Sequence, residues 1–138
     1  MKRLFYPACF YPCEDKPNAY TVIVPDLPGC ISEGDNLEDA ITMATDAASG
    51  WVLDEIESGN PIPKPSHIQN IHPDKGGFTN LLSLDMNAYA KKYGKKAIRK
   101  NLTIPAWLNT FGEKNHINFS QVLQDALTDM YQLQTTKK

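Results

Sequence analysis

Asp26, Glu33, Asp35 and Glu38 bring four carboxylates into thirteen residues, the side-chain type that holds paired metal ions for in-line phosphodiester cleavage. That chemistry needs several carboxylates converging on one point. Here Asp26 belongs to the turn Pro25-Asp26-Leu27-Pro28-Gly29. Glu33 is a solvent-facing residue of a short strand, and Asp35 and Glu38 suit the first turn of a helix. No set of strand carboxylates forms, so the pattern does not describe a nuclease. Cys9 and Cys13, four apart, could begin a zinc clip with His67 or His72, but no second cysteine pair completes it. Three cysteines without a secretory context read as free thiols in a reducing compartment, buried in strands. His116 falls in a turn, where it touches phosphate or solvent. No Ser/His/Asp set or glycine-rich phosphate cradle occurs, and we expect no enzymatic activity, no metal and no cofactor.

The polar residues with the most regular placement lie near the C-terminus, in Arg99–Met130. Ile98, Leu102 and Ile104 are apolar while Arg99, Asn101 and Thr103 point to the other face, the period-two pattern of a strand with one buried side. Pro105 lacks the N–H that a strand needs and suits the first position of a helix. Trp107, Leu108 and Phe111 then share one side of a short helix, and a turn is expected over Gly112–Asn118. A second helix opens with Asn118 as N-cap and Gln121 three residues on, as in a capping box. Its apolar set is Phe119, Val122, Leu123, Ala126, Leu127 and Met130.

One strand and two helices cannot bury so much apolar surface alone, and a lone strand leaves both edges unpaired. Two chains pairing their strands and interlocking their helices would solve both problems. The arrangement resembles the ribbon-helix-helix family of DNA-binding dimers, whose two-stranded ribbon enters the major groove. The resemblance implies that Arg99, Asn101 and Thr103 read bases, arginine suiting guanine and asparagine adenine. It implies phosphate contacts from Lys100, Asn118 and the Phe119 and Ser120 amides at the helix N-terminus. The dimer core would comprise Leu102, Ile104, Trp107, Leu108, Phe111, Val122, Leu123, Ala126 and Leu127.

Charge divides the chain at the same place. Through Gly94 seven basic residues stand against thirteen acidic ones, a net of −6, whereas from Lys95 onward seven stand against three, a net of +4. A basic tail on an acidic body suggests nucleic acid for the one and a basic partner for the other. A chain of 138 residues suffices for one ordinary domain, or for one small domain plus a short appendage, and charge at 22% argues against general disorder. No apolar run approaches a membrane span and Met1-Lys2-Arg3 leads into no signal-type core, so a soluble, cytoplasmic protein is expected.

Leu4–Cys13 reads as a strand, Glu14–Asn18 as a polar turn, Tyr20–Val24 as a second strand and Cys30–Glu33 as a short third, together a meander. A helix of about two dozen residues follows, capped by Asp35 with Glu38 or by Asn36 with Asp39. Its apolar stripe is Leu37, Ile41, Ala44, Ala48, Trp51, Val52 and Ile56, and Gly59 closes it. Pro61, Pro63 and Pro65 stiffen a connector. Phe78–Leu84 reads as a fourth strand, and Asp85 caps a short helix over Met86–Tyr93 that ends at Gly94.

The order β-β-β-α-β-α, with Pro25-Asp26-Leu27-Pro28-Gly29-Cys30 leading through Gly34-Asp35 into Leu37-Glu38-Asp39-Ala40, is similar to the HicB family of antitoxins. The resemblance implies an α+β chain with a partial ribonuclease-H-like domain over 1–94 and a ribbon-helix-helix domain over 95–138 that dimerises by intertwining. It implies an antitoxin that covers a small HicA-type toxin cleaving messenger RNA and represses its own operon on operator DNA, as a homodimer or higher oligomer with no membrane partner. Toxin contacts are expected on the first hairpin and the Asp26–Asp35 loop. The other reading is a stand-alone ribbon-helix-helix repressor whose N-terminal domain senses a ligand or oligomerises.

Overall fold

The computed structural model describes residues 3–94 and 97–136, which fall into two compact units that meet in sequence after Gly94. The first carries β1 (Leu4–Pro12), β2 (Tyr20–Ile23), β3 (Ile31–Gly34), α1 (Leu37–Glu57), a 3-10 turn at Ile68–Asn70, β4 (Phe78–Leu84) and α2 (Met86–Tyr93). The second carries α3 (Ala106–Lys114) and α4 (Phe119–Thr136). The described residues are α+β, with one four-stranded sheet.

All strand pairs are antiparallel and their order is β3-β2-β1-β4, so the meander gains β4 on the far side of β1. Register and the two-residue pleat place Tyr6, Ala8, Phe10, Val22, Leu82 and Leu84 on one face, where all are buried. Burying each of the larger side chains contributes about 1.5–3 kcal/mol. α1 lies against this sheet and buries Ala40, Ala44, Ala48, Val52 and Leu53. Its small residues permit a close approach, and Gly34 shows how close: a Cβ there would collide with the Ala40 backbone. Phe5, Ile23, Ile31 and Leu81 share the opposite face and are exposed.

Capping explains where α1 begins. Asn36 Oδ1 accepts the Asp39 N–H at 2.8 Å and Asp39 Oδ2 accepts the Asp35 N–H at 2.9 Å. Of the two caps the sequence allows, Asn36 with Asp39 forms, and the acidic first turn complements the helix dipole. Asp85 caps α2 through the Ala88 N–H.

Several boundaries differ from the sequence-based expectation. β3 runs from Ile31 to Gly34, one residue later than expected, because the Cys30 N–H donates to the Leu27 carbonyl and closes the preceding turn. Pro105 is the N-cap of α3 rather than its first helical residue. Helix α3 continues through Gly112 to Lys114, so the turn begins at Asn115 and not at Gly112. Residues 97–105 carry no strand within the single chain. A strand is defined by its ladder, and no strand among the described residues pairs with this segment.

Candidate functional site

The C-terminal unit is described from the helices upward. α3 and α4 are joined by a turn whose hydrogen bonds form a Schellman motif: the Ile117 N–H donates to the Gly112 carbonyl at 2.9 Å and the His116 N–H to the Glu113 carbonyl at 3.2 Å. His116 takes the left-handed backbone this motif requires, with φ 54°. Asn118 then caps α4, its Oδ1 accepting the Gln121 N–H at 3.0 Å. The Phe119 and Ser120 amides sit at the mouth of the helix, and the Ser120 hydroxyl accepts from Gln124 Nε2 at 3.0 Å. The Phe119 ring occupies the space beside Gly112 in the preceding helix.

Little of this unit is buried. Ile98 is 82% exposed, Trp107 72% and Leu102 63%, and Ile104, Leu108, Phe111, Phe119, Val122, Ala126, Leu127 and Met130 are exposed as well. Leu123 is half-buried, and Gly112 is the one buried residue among those described here. The nine-residue α3 and the eighteen-residue α4 thus leave a large apolar surface uncovered in the single chain. Arg99, Lys100, Asn101 and Thr103 are exposed in the segment ahead of α3. Such side chains can donate to phosphates and base edges, and asparagine and threonine can also accept from base edges.

In the sheet unit the carboxylates have structural occupations. Asp26 accepts from both the Ser66 N–H (2.8 Å) and the Ser66 hydroxyl (2.7 Å), pinning the proline-rich connector to the β2–β3 turn. Asp35 pairs with Lys16, Asp39 serves the α1 cap, and Glu33 is exposed on β3. Among the described residues no three His, Cys, Asp or Glu side chains converge as metal ligands would. Cys9 and Cys30 are buried and Cys13 half-buried, all three as free thiols, and burial pushes the Cys30 thiol up from its ordinary range. His67 and His72 are exposed along the connector.

Two features here carried no sequence signal. The Tyr6 hydroxyl donates to the Pro63 carbonyl at 2.6 Å, and burial, with the Asp26 carboxylate adding to it, pushes the phenol up to about 12. A groove of about 430 Å³ between α1 and α2 is lined by Thr42, Thr45, Asp46, Tyr89, Lys92 and Tyr93. Tyr89 reaches under Gly50 there, and burial first and Asp46 second raise its phenol. Among the described residues no helix is long and apolar enough to cross a membrane.

Residues 6–126 match the family described as the HicB-like antitoxin of bacterial toxin–antitoxin systems. A 14.9 kDa protein of the rep–hol intergenic region of Haemophilus phage HP1 is 32% identical over 108 residues, 76% of each chain. The structure is similar to a chain of a toxin–antitoxin complex from Streptococcus pneumoniae, with a TM-score of 0.60 and 31% identity over 93% of this chain and 99% of that one. It is similar also to the antitoxin HicB of Burkholderia pseudomallei, with a TM-score of 0.54 and 26% identity over 90% and 96% of the two chains.

Proposed function

The chain belongs to the HicB-like antitoxin family, and we propose that it neutralises a HicA-type toxin by direct contact and represses its own operon by binding operator DNA. Residues 1–94 hold the toxin, through the first hairpin and the loop from Asp26 to Asp35. Residues 95–138 form the DNA-reading dimer, a ribbon-helix-helix module. The observation that carries the proposal is the span of the family match, which runs from β1 through the sheet unit and into α4. An antitoxin of this family is a regulatory protein and not an enzyme.

The exposed stripe of α3 and α4 supports the dimer, because two copies crossing there would bury Trp107, Leu108, Phe111, Val122 and Leu127 against one another. Antiparallel pairing of the two segments before Pro105 would give Leu102 and Ile104 a core to face and turn Arg99, Asn101 and Thr103 outward into the major groove. Lys100 and the α4 N-terminus, with Asn118, Phe119 and Ser120, would then meet the flanking phosphates. A folded acidic unit is suited to a basic protein partner.

The test is to co-express the chain with the product of any short reading frame that neighbours its own and measure messenger-RNA cleavage and operator binding of the purified species. Stoichiometric co-purification with loss of cleavage, and a retarded operator fragment, are the expected results. Operator binding without any capture of the neighbouring product would overturn the antitoxin half and leave a stand-alone repressor.

A further inference from the structure

The polar groups that α1 turns toward the groove between α1 and α2 are acceptors. Thr42, Thr45 and Asp46 line it at three- and four-residue spacing, on one flank of the helix. Thr42 Oγ1 donates to the Glu38 carbonyl at 3.0 Å and Thr45 Oγ1 to the Ile41 carbonyl at 2.7 Å. Both hydroxyl protons are spent inside the helix, so these groups meet a ligand with their lone pairs. Asp46 is an exposed carboxylate, and among the described residues no cation is paired with it.

The α2 wall is aromatic. Tyr89 and Tyr93, one turn apart, set their ring centroids 4.6 Å apart at 42°. Lys92 Nζ lies 5.3 Å from the centroid of the Tyr93 ring, which therefore already attracts a cation. Another part of the lining already holds a guanidinium. Arg3 donates to Ser83 Oγ at 3.2 Å and to Asp85 Oδ2 at 3.5 Å, a hydroxyl and a carboxylate that both line the groove. Thr42, Thr45 and Asp46 offer the same two kinds of group beside two rings, and among the described residues no guanidinium is bound to them.

We propose that this part of the groove receives an arginine side chain from a basic protein partner, its guanidinium lying against the Tyr89 and Tyr93 rings and donating to Asp46 and the threonine hydroxyls. Arginine suits it better than lysine, because a planar fork of five donors both stacks on an aromatic face and serves several acceptors at once. Under the reading of residues 1–94 as the part that holds a toxin, on which this occupant rests, the arginine belongs to the toxin. The groove shares no residue with the first hairpin or the Asp26–Asp35 loop, so it is a further anchor beside them.

The arginine comes on a protein surface and not as a free molecule. Sites for small ligands enclose most of the ligand, whereas Thr42, Asp46, Lys92 and Tyr93 stand exposed around this one. A surface laid over the groove supplies the missing cover and carries the side chain in. Charge agrees with a protein of basic character: residues 3–94 carry thirteen acidic against six basic side chains, a field that draws such a partner in.

Two experiments on the full-length chain separate the site from the toxin reading. In the first, acetyl-arginine methylamide is titrated in and followed by NMR. The Thr42, Thr45, Asp46, Tyr89 and Tyr93 signals should shift together and saturate, and acetyl-norleucine methylamide should move none of them. Asp46→Asn and Tyr93→Ala, both at exposed positions, should each weaken the binding at least several-fold with unchanged circular dichroism. Lys92→Met, which vacates the Tyr93 face, should tighten it. Equal shifts with the norleucine probe, or arginine shifts indifferent to Asp46→Asn and Tyr93→Ala, overturn the guanidinium site. In the second, the chain is co-expressed with the product of any short reading frame that neighbours its own and the complex is washed with rising salt. Asp46→Lys should release the product at lower salt than the parent chain does. Release at the same salt overturns the groove as a partner contact and leaves the toxin reading standing. A parent chain that captures no such product overturns the toxin reading instead, and the arginine titration then decides the guanidinium site by itself.

Discussion

The Phe119 ring stands where a Cβ on Gly112 would be, so the first residue of α4 is seated on the third-last residue of α3. The contact fixes how the two helices meet and, through Phe119, where the mouth of α4 points. Gly112→Ala tests it. Alanine favours helix over glycine by about 1 kcal/mol. Forcing a methyl against a seated ring costs about 1–3 kcal/mol. We expect a net loss of up to about 2 kcal/mol in urea unfolding of the C-terminal unit. A higher midpoint would mean the ring is not held there.

His116 is the reverse case. It occupies the left-handed position of the Schellman turn, which glycine adopts freely and other residues at a cost of about 1–2 kcal/mol. Glycine also loses more freedom on folding, which takes back part of that gain. His116→Gly should therefore stabilise the unit by about 0.5–1 kcal/mol, read as a raised melting temperature. A lowered one would show that the imidazole makes a stabilising contact worth more than the strain.

These two positions mark what the sequence conveyed and what it did not. The β-branched run at Tyr20–Val24, the Asn36–Asp39 cap and the turn glycines place the strands and α1 within a residue or so, since each rests on local chemistry. The extent of α3 was not legible. Gly112 reads as a breaker by propensity, yet it lies inside the helix, with the tip of the Phe119 ring, seven residues away, standing where its Cβ would be. Likewise nothing in the spacing of Asp26 and Ser66 announces their pairing, forty residues apart, which depends on the connector folding back to the turn. Arg99, Asn101 and Thr103 are exposed together with Ile98, Leu102 and Ile104, so within one chain the alternation has no buried side to mark.

Tyr6 makes the sheet unit sensitive to alkali. Its folded pKa is raised to about 12 from an ordinary 10.0, chiefly by burial, with the Asp26 carboxylate second. The folded state thus holds the phenolic proton more tightly than the unfolded chain. The resulting stabilisation is complete below pH 10 and is lost as pH rises from there toward 12. Thermal melts of the chain should fall across that window. Tyr6→Phe should begin lower, having lost the bond to the Pro63 carbonyl, and should fall less steeply. Parallel slopes for the two proteins would assign the alkaline loss to other groups.

Asp26 holds the connector with two hydrogen bonds from one residue, Ser66, so Asp26→Ala frees the connector and leaves the Ser66 groups to water. Bonds to a charged acceptor contribute about 1.5–3 kcal/mol when sheltered, and at this half-buried site the loss should be about 1–2 kcal/mol. Ser66→Ala keeps the backbone bond and should cost less. Native-state hydrogen exchange checks the order: Ser66 and its neighbours should open faster in Asp26→Ala than in Ser66→Ala, with the β1–β4 ladder unchanged in both. Equal exchange in the two variants would mean that the hydroxyl bond carries the clamp.

Arg99 and Lys100 are adjacent and both exposed, yet in the proposed ribbon they face different parts of the operator. An arginine on a base edge contributes sequence preference, whereas a lysine on a phosphate contributes affinity that salt removes. Arg99→Ala should weaken operator binding by about 1–3 kcal/mol and narrow the gap between operator and unrelated DNA. Lys100→Ala should weaken binding to both alike and lower the salt dependence by about one counterion. Titrations of each variant against operator and scrambled duplexes at several salt concentrations separate the two effects. If Arg99→Ala lost operator and scrambled DNA equally, with a reduced salt slope, Arg99 would be a phosphate contact and the face that reads bases would have to be the other one.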